Sequence, residues 1–246
     1  MGLLAECLKL TTAAHMFDNC YFLTGKIPWD LFWTSNIEKE YTALEDISYM
    51  FYESGFNQPT EVEEIQYMFH PDLFAKISRI KNLSFVFGKS YSRDTSNVYP
   101  NWTNAYPVHP HAFLNMYNVT NIQGLFKKCR GLGGTITNQW FTNSMPTITN
   151  AQETFAQTRI TNVSKDFLCN NDTRRNTKLM YVGKIFYGCS SIKSELPPLW
   201  NVSAFTKIDY SNTDAGFGGG VYNCTQAQNY DDFIRSNSDW GKAYSY

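Results

Sequence analysis

Hydrophobic and polar positions recur along this chain in one spacing pattern. An apolar residue is followed by a second one three places on, by an aromatic four places later, and by a small or polar residue after three more. Six copies fit fully, and their aromatic positions are Phe51, Phe69, Phe87, Phe126, Phe155 and Phe186. Looser copies end at Phe17, Phe167 and Val221. Offsets of three and four place side chains on one face of an α-helix, so each copy predicts a short amphipathic helix.

Helices of this length depend on neighbours for their stability. A helix of about eleven residues is marginal in water and must pack its apolar stripe against another element. Spacings between successive aromatic positions, such as 18 residues from Phe69 to Phe87 and 39 from Phe87 to Phe126, fall around the unit sizes of repeat proteins. The copies are therefore predicted to stack, with loops of varied length between them.

A predicted strand follows three of these helices. After Phe126 the chain places Leu132, Gly134 and Ile136 at alternating positions, and similar apolar alternation follows Phe17 and Phe186. Alternation over a few residues is typical of a short, half-buried strand. The predicted unit is helix, turn, strand.

Four sequence stretches resemble a known repeat family, among them Ser48–Glu53 and Cys7–Ala13. His15-Met16-Phe17-Asp18-Asn19-Cys20 and Lys184-Ile185-Phe186-Tyr187-Gly188-Cys189 are similar to the helix motif of BspA-like leucine-rich repeats. The resemblance runs from about Leu4 to Cys224, although the strand half is missing or remodelled near residues 54–62 and 90–112. It implies an α/β repeat fold, a leucine-rich-repeat-like solenoid of short helix-turn-strand units with irregular loops. It also implies a role in surface attachment or virion structure, without catalytic residues.

Domain boundaries are sought in linkers, and the chain has no Pro-, Gly- or Ser-rich linker and no charge run. We predict one repeat array over residues 1–224, whose first unit is incomplete because Leu4 occupies the aromatic position near the start. Residues 225–246, with acidic Asp231 and Asp232 and the aromatic Trp240, are predicted to form a C-terminal cap, since the ends of stacked repeats need shielding.

Charge and hydropathy exclude two classes of partner. The formal net charge is −1, and the local basic runs are short, which disfavours nucleic-acid binding. No stretch reaches the ~18 consecutive apolar residues that a membrane-spanning helix requires. No basic region precedes an apolar run at the N-terminus, so no secretion signal is visible.

The cysteines predict a structural column rather than a reactive site. Six are present, and five occupy or nearly occupy the position three residues after the aromatic: Cys7, Cys20, Cys129, Cys189 and Cys224. Buried thiols in one column are the favoured interpretation, and disulfides between adjacent turns remain the alternative, because spacing does not fix connectivity. Zinc is disfavoured because no Cys-x-x-Cys pair occurs.

Other candidate chemistry is weak. His109-Pro110-His111 offers two imidazoles, but the intervening proline and the aromatic surroundings favour a packed loop over a metal site. The run from Gly216 to Gly220 lacks the Lys and Ser/Thr of a phosphate-binding loop. No Ser or Cys stands in a recognisable nucleophile motif. We therefore predict no catalytic residue, no cofactor and no metal.

Aromatic residues make up 16% of the chain, more than the repeat positions require. Tyr and Trp are enriched at protein interfaces, so the surplus either thickens the core or faces a partner. The aromatic composition and the family resemblance together predict one of two functions. One is a bacteriophage virion component, in the tail, collar, fibre or capsid surface, bound to other virion proteins in a larger assembly. The alternative is a bacterial cell-surface adhesin fragment that binds host or neighbouring-cell proteins.

The assigned faces predict unequal effects of two substitutions. Phe126→Ala should lower the free energy of unfolding by ~3–5 kcal/mol, because it leaves a cavity in the core. Glu63→Ala should be nearly silent, as expected for a solvated side chain. Denaturant unfolding of both variants provides the measurement, and equal effects would show that the faces are wrongly assigned.

Overall fold

The computed structural model describes residues 2–4, 6–23, 25–33, 43–56, 58–89, 105–164, 167, 169–170, 174–175, 178–197 and 218–236. Turns dominate these residues. The strands are β1 (Thr60–Val62), β2 (Ile65–Tyr67), β3 (Gly133–Ile136), β4 (Arg159–Val163), β5 (Cys169–Asn170) and β6 (Arg174–Arg175). A 3-10 helix covers Pro71–Phe74, a π-helix covers Gln139–Ser144, and an α-helix, α1, covers Tyr230–Ser236.

The segments around the aromatic positions are series of turns, not α-helices. Around Phe51 the backbone enters the left-handed region twice, at Tyr49 (φ 57°) and Glu53 (φ 49°). The same two positions, two residues before and two after the central residue, have positive φ around Phe17, Phe87, Phe126, Phe155, Phe186 and Val221. A right-handed α-helix needs negative φ at every residue. The predicted helices are therefore wrong.

The predicted fold class, an α/β leucine-rich-repeat-like solenoid of helix-turn-strand units, is also wrong. The strands form three separate two-stranded sheets, with β1–β2 and β5–β6 antiparallel and β3–β4 parallel. In the described residues, the stretches after Phe17 and Phe186 that were predicted as strands form none, whereas β3 lies in the stretch after Phe126. Most of the described chain is turn and irregular backbone.

Consecutive turn segments are joined by backbone hydrogen bonds. The Phe17 amide donates to the Met50 carbonyl of the neighbouring segment (2.9 Å). The Cys20 amide donates to the Phe17 carbonyl, three residues earlier (3.3 Å). Amides thus alternate between the neighbouring segment and the carbonyl three residues earlier. The equivalent inter-segment bonds start at the amides of Phe51, Phe87, Phe126, Phe155 and Phe186 and measure 2.8–3.0 Å. Isolated parallel bridges link Thr12, Asp46, Asn82, Asn121, Asn150 and Tyr181 in turn.

Six phenyl rings lie one above another in the core. Their centroids are 5.4–6.0 Å apart and their planes differ by at most 15°, in the order Phe17, Phe51, Phe87, Phe126, Phe155, Phe186. All except Phe17 are fully buried. Full burial of one such side chain contributes about 1.5–3 kcal/mol. The aromatic column is the centre of the described core.

Phe69 lies beside this column instead of in it. The pattern that predicted a helix from Val62 to Phe69 forms a hairpin, β1–β2, whose two-residue turn has Glu63 at φ 50° and Glu64 at φ 66°. Two consecutive positive φ values are typical of a type I′ turn. The Phe69 ring then stacks on Phe87 at 4.7 Å.

Phe167 also packs from the side. Its ring lies 6.0 Å from Phe155 and 5.3 Å from Phe186, and it is buried. Both off-column aromatics therefore fill the space next to the stacked rings. Their segments take no part in the series of parallel bridges among the described residues.

Polar side chains begin the stacked segments. The Oδ1 atoms of Asp46, Asn82, Asn121 and Asn150 each accept the amide two residues further on, at 2.8–3.0 Å. Asp and Asn favour such turns because their short side chains imitate a backbone carbonyl. These four Asp and Asn side chains therefore mark the first residue of each turn series.

The described part of the predicted cap is residues 225–236. Within α1, Phe233 is buried in the core. Just before α1, the Asn229 side chain accepts the Leu196 amide (2.7 Å) and donates to its carbonyl (3.1 Å). Trp240 and the rest of residues 237–246 lie outside the described residues. The division at residue 224 stays a prediction.

Gly124 provides a test of the segment packing. Its φ is +58°, and an added Cβ would lie 2.3 Å from the Phe85 ring. Gly124→Ala should lower the free energy of unfolding by ~1–3 kcal/mol through strain and overpacking. Gly25→Ala, at φ +98° with nothing within 4 Å, is the control for strain alone.

The double variant Gly124→Ala/Phe85→Ala separates the two causes. Glu153 and Lys184 occupy the equivalent position with positive φ and carry a Cβ, so the backbone there does not by itself exclude one. Removing Phe85 should therefore recover part of the loss caused by Gly124→Ala. Strictly additive unfolding energies would contradict the packing described here.

Candidate interaction surfaces

Three of the five cysteines in the predicted thiol column are buried. Cys129, Cys189 and Cys224 are fully buried free thiols. The Cys189 Sγ donates to the Phe155 carbonyl (2.8 Å), and burial raises the pKa of Cys129 to about 12 and that of Cys189 to about 11. Burial disfavours the thiolate, which is the nucleophilic form. These thiols fill the core below the preceding segment.

Cys7 and Cys20 differ from the other three. Both are free thiols, but Cys7 is exposed and Cys20 is partly exposed. Leu4, at the predicted aromatic position before Cys7, donates its amide to Leu31 (3.0 Å), so its segment does not continue the stack below Phe17. Cys7 is therefore outside the buried thiol column.

His109 and His111 lie together on the surface loop. Their ring centroids are 5.2 Å apart, and His109 Nδ1 accepts the backbone amide of His111 (3.1 Å). Burial, reinforced by the charge of His111, lowers the pKa of His109. Among the described residues, no group of three or more His, Cys, Asp or Glu side chains could hold a metal ion.

The described part of the glycine run belongs to the last stacked segment. Gly218 and Gly220 accept the amides of Lys184 (2.9 Å) and Phe186 (2.8 Å) through their carbonyls. Backbone used in this way is not organised to surround a phosphate. Gly216 and Phe217 lie outside the described residues.

A second aromatic column lies at the surface of the stack, and we call it the outer column. It consists of His15, Tyr49 and Phe85, each two residues before a core phenylalanine. His15 stacks on Tyr49 at 4.7 Å and Tyr49 on Phe85 at 4.8 Å, with planes 9° and 19° apart. His15 is exposed, and the other two are partly exposed. The column ends at Gly124, which leaves room for the Phe85 ring.

Paired charges flank the outer column. Lys89 forms an ion pair with Glu53 and lies over the Tyr52 ring at 5.3 Å, and its pKa is raised by hydrogen bonds to Glu53 and Tyr52. Lys127 pairs with Glu153 at 2.8 Å. Each pair joins neighbouring segments. The surface thus combines stacked rings with ion pairs that join segments.

The outer column was not among the residues predicted from the sequence. The signal was present, because His15, Tyr49 and Phe85 occupy the same place relative to their phenylalanines. Helical periodicity does not mark the position two residues before the aromatic as one that contacts its equivalents in other segments, so the sequence pattern did not indicate a column there. Only the left-handed backbone there and the contacts between segments make it a column.

No family model matches the chain, and neither a curated protein nor a solved structure gives a significant match. The resemblance to BspA-like repeats stays a prediction.

The search for membrane-crossing helices covered the described residues. None of the helices there has the length and apolar character needed to cross a bilayer.

Alkylation of the native protein tests the thiol environments. Cys7 should react with iodoacetamide within minutes at pH 8, whereas Cys129, Cys189 and Cys224 should stay unmodified until the protein is denatured, because burial keeps them protonated. Peptide mass spectrometry measures each site separately. Modification of Cys189 as fast as that of Cys7 would contradict the buried column.

Proposed function

We propose that this chain is a non-enzymatic structural or adhesion protein that acts through protein–protein contact, as a component of a bacteriophage virion. The observation that carries the contact function is the outer column, a partly exposed stack of His15, Tyr49 and Phe85. Its partners are other virion proteins in a larger assembly.

The outer column has the chemistry of an interface. Tyr and other aromatic side chains contribute large contact areas and are enriched among residues that dominate binding energy. Stacking already restricts the three rings, and ion pairs such as Lys127–Glu153 restrict their surroundings. A partner that binds there immobilises little that was previously free, which reduces the entropic cost of association.

The placement in a virion rests on the sequence. The BspA-like resemblance points to surface attachment or virion structure, and the formal net charge of −1 disfavours a nucleic-acid partner. A bacterial cell-surface adhesin is the competing placement, and it would use the same surface. The two differ in where the native chain is found.

Localisation of the native chain tests the placement. Antibodies against the chain should label intact phage particles from the encoding organism in electron micrographs, and the chain should co-purify with those particles through a density gradient. Recovery of the chain only as a monomer in a cell-wall extract would contradict the proposal.

Substitution of the outer column tests the contact surface. Tyr49→Ala/Phe85→Ala should reduce incorporation of the chain into particles by about tenfold or more, because two contact side chains are lost. Leu114→Ala, which removes an exposed apolar side chain elsewhere, is the matched control and should incorporate normally. Thermal unfolding confirms that both variants are folded, and normal incorporation of a folded double variant would contradict the role of the outer column.

A further inference from the structure

Two turns of the described chain begin with a histidine followed by a proline. We call them the His70 turn, His70-Pro71-Asp72 at the start of the 3-10 helix, and the His109 turn, His109-Pro110-His111. In each turn the histidine carbonyl accepts the amide three residues further on, at 3.1 Å and 3.0 Å. The phenylalanines that follow, Phe74 and Phe113, are buried and stack on each other at 5.8 Å. The two turns are therefore structural equivalents.

Each histidine ring closes its turn through a nitrogen that must be unprotonated. His70 Nδ1 accepts the Asp72 amide and His109 Nδ1 accepts the His111 amide, both at 3.1 Å. Because the intervening proline has no N–H, this amide is the first donor of the turn. A protonated imidazole carries a hydrogen on both ring nitrogens and cannot accept a hydrogen bond. Protonation therefore removes the bond that begins the turn.

The charges beside the two rings differ. In the His70 turn the Asp72 carboxylate lies 3.8 Å from His70 Nδ1, so a protonated ring has an ion-pair partner there. In the His109 turn the same place is taken by His111, whose ring centroid lies 5.2 Å from that of His109. A protonated His109 thus meets a second imidazole where His70 meets a carboxylate. The His109 turn loses its bond on protonation without gaining an ion pair within the turn.

Titratable groups face His109 from its own turn, from the hairpin and from the 3-10 helix. Burial is the largest cause of its lowered pKa, and the charge of His111 is the next. Glu63 and Asp72 act in the opposite direction, and His70 acts in the same direction as His111. Because the folded pKa lies below that of an unfolded histidine, about 6.5, the stabilisation by the neutral ring is complete above that pH. It is lost as the pH falls through the folded pKa.

The His109 turn also joins the hairpin β1–β2 to the core. The Met68 amide, directly after β2, donates to the Pro107 carbonyl (2.9 Å), and the Tyr67 ring makes a T-shaped contact with His109 at 4.9 Å. Val108 lies between these two contacts in the chain and is buried. A rearrangement of the turn therefore acts directly on the attachment of the hairpin.

We propose that the His109 turn is an acid-sensitive switch, in which protonation of His109 releases the His111 amide and loosens the attachment of β1–β2 to the core. Histidine is the side chain whose charge ordinarily changes in the mildly acidic range. The His70 turn, which has Asp72 beside its ring, is not the switch. The inference goes beyond the proposed contact function, since it makes one part of the molecule responsive to pH.

Hydrogen exchange of the full chain, followed by NMR at single amides, tests the switch. The protection factor of the Met68 amide, which corrects for the intrinsic pH dependence of exchange, should fall about tenfold or more between pH 7.5 and pH 5. Its midpoint should coincide with the titration of the His109 ring protons. The Leu83 amide, which donates to Asn121 in the neighbouring stacked segment (2.8 Å), is the internal control and should keep its protection.

Two outcomes of this measurement would overturn the proposal. Unchanged protection of the Met68 amide down to pH 5 would show that the attachment does not respond to His109. Equal losses at Met68 and Leu83 would show that acid destabilises the whole described structure instead of this one attachment. Neither outcome depends on where the native chain is found, so the switch and the virion placement can fail separately.

His109→Asn separates the titration from the structural role of the side chain. Asn82 and Asn121 each accept the amide two residues further on and do not titrate, so the substitution should keep the bond at both pH values. The Met68 amide of this variant should therefore stay protected at pH 5. His70→Asn is the matched control and should lose Met68 protection as the unsubstituted protein does. A folded His109→Asn variant that keeps the full pH response would contradict the switch.

Discussion

The alternation of backbone amides is the constraint on which the described structure depends. In each stacked segment, one amide donates to the carbonyl three residues earlier and the next donates to the neighbouring segment, as Met16 and Phe17 do. This division satisfies buried backbone groups without a helix or a continuous sheet. It also requires left-handed backbone on both sides of each central residue, which Tyr49 and Glu53 adopt around Phe51.

Side-chain columns follow from this backbone. Because equivalent residues of successive segments lie above one another, the phenylalanines stack in the core, and the Asp and Asn side chains that begin the segments form a second column. The same registration places His15, Tyr49 and Phe85 in contact at the surface. The outer column is thus a product of the same hydrogen-bonding scheme as the core.

The buried position three residues after an aromatic can hold a thiol or a hydroxyl. Cys189 and Thr158 occupy equivalent places, and each side chain donates to the Phe155 carbonyl. The Thr158 hydroxyl donates within its own segment and the Cys189 thiol donates to the preceding segment, and burial raises the pKa of Cys189. Nothing in this column organises a nucleophile. The aromatic rings of the outer column, in contrast, remain partly exposed.

The sequence by itself determined which positions are apolar, and the buried phenylalanines Phe51, Phe87 and Phe126 lie where that spacing placed aromatics. It could not determine the backbone, because a turn series closed by bonds to the third preceding residue produces the same three- and four-residue spacing as a helix. It could not distinguish Phe69 from Phe87 either, although one follows a hairpin and the other lies in the column. Tertiary structure decided both, since hydrogen bonds between segments select the left-handed residues, and those bonds join residues far apart in the chain.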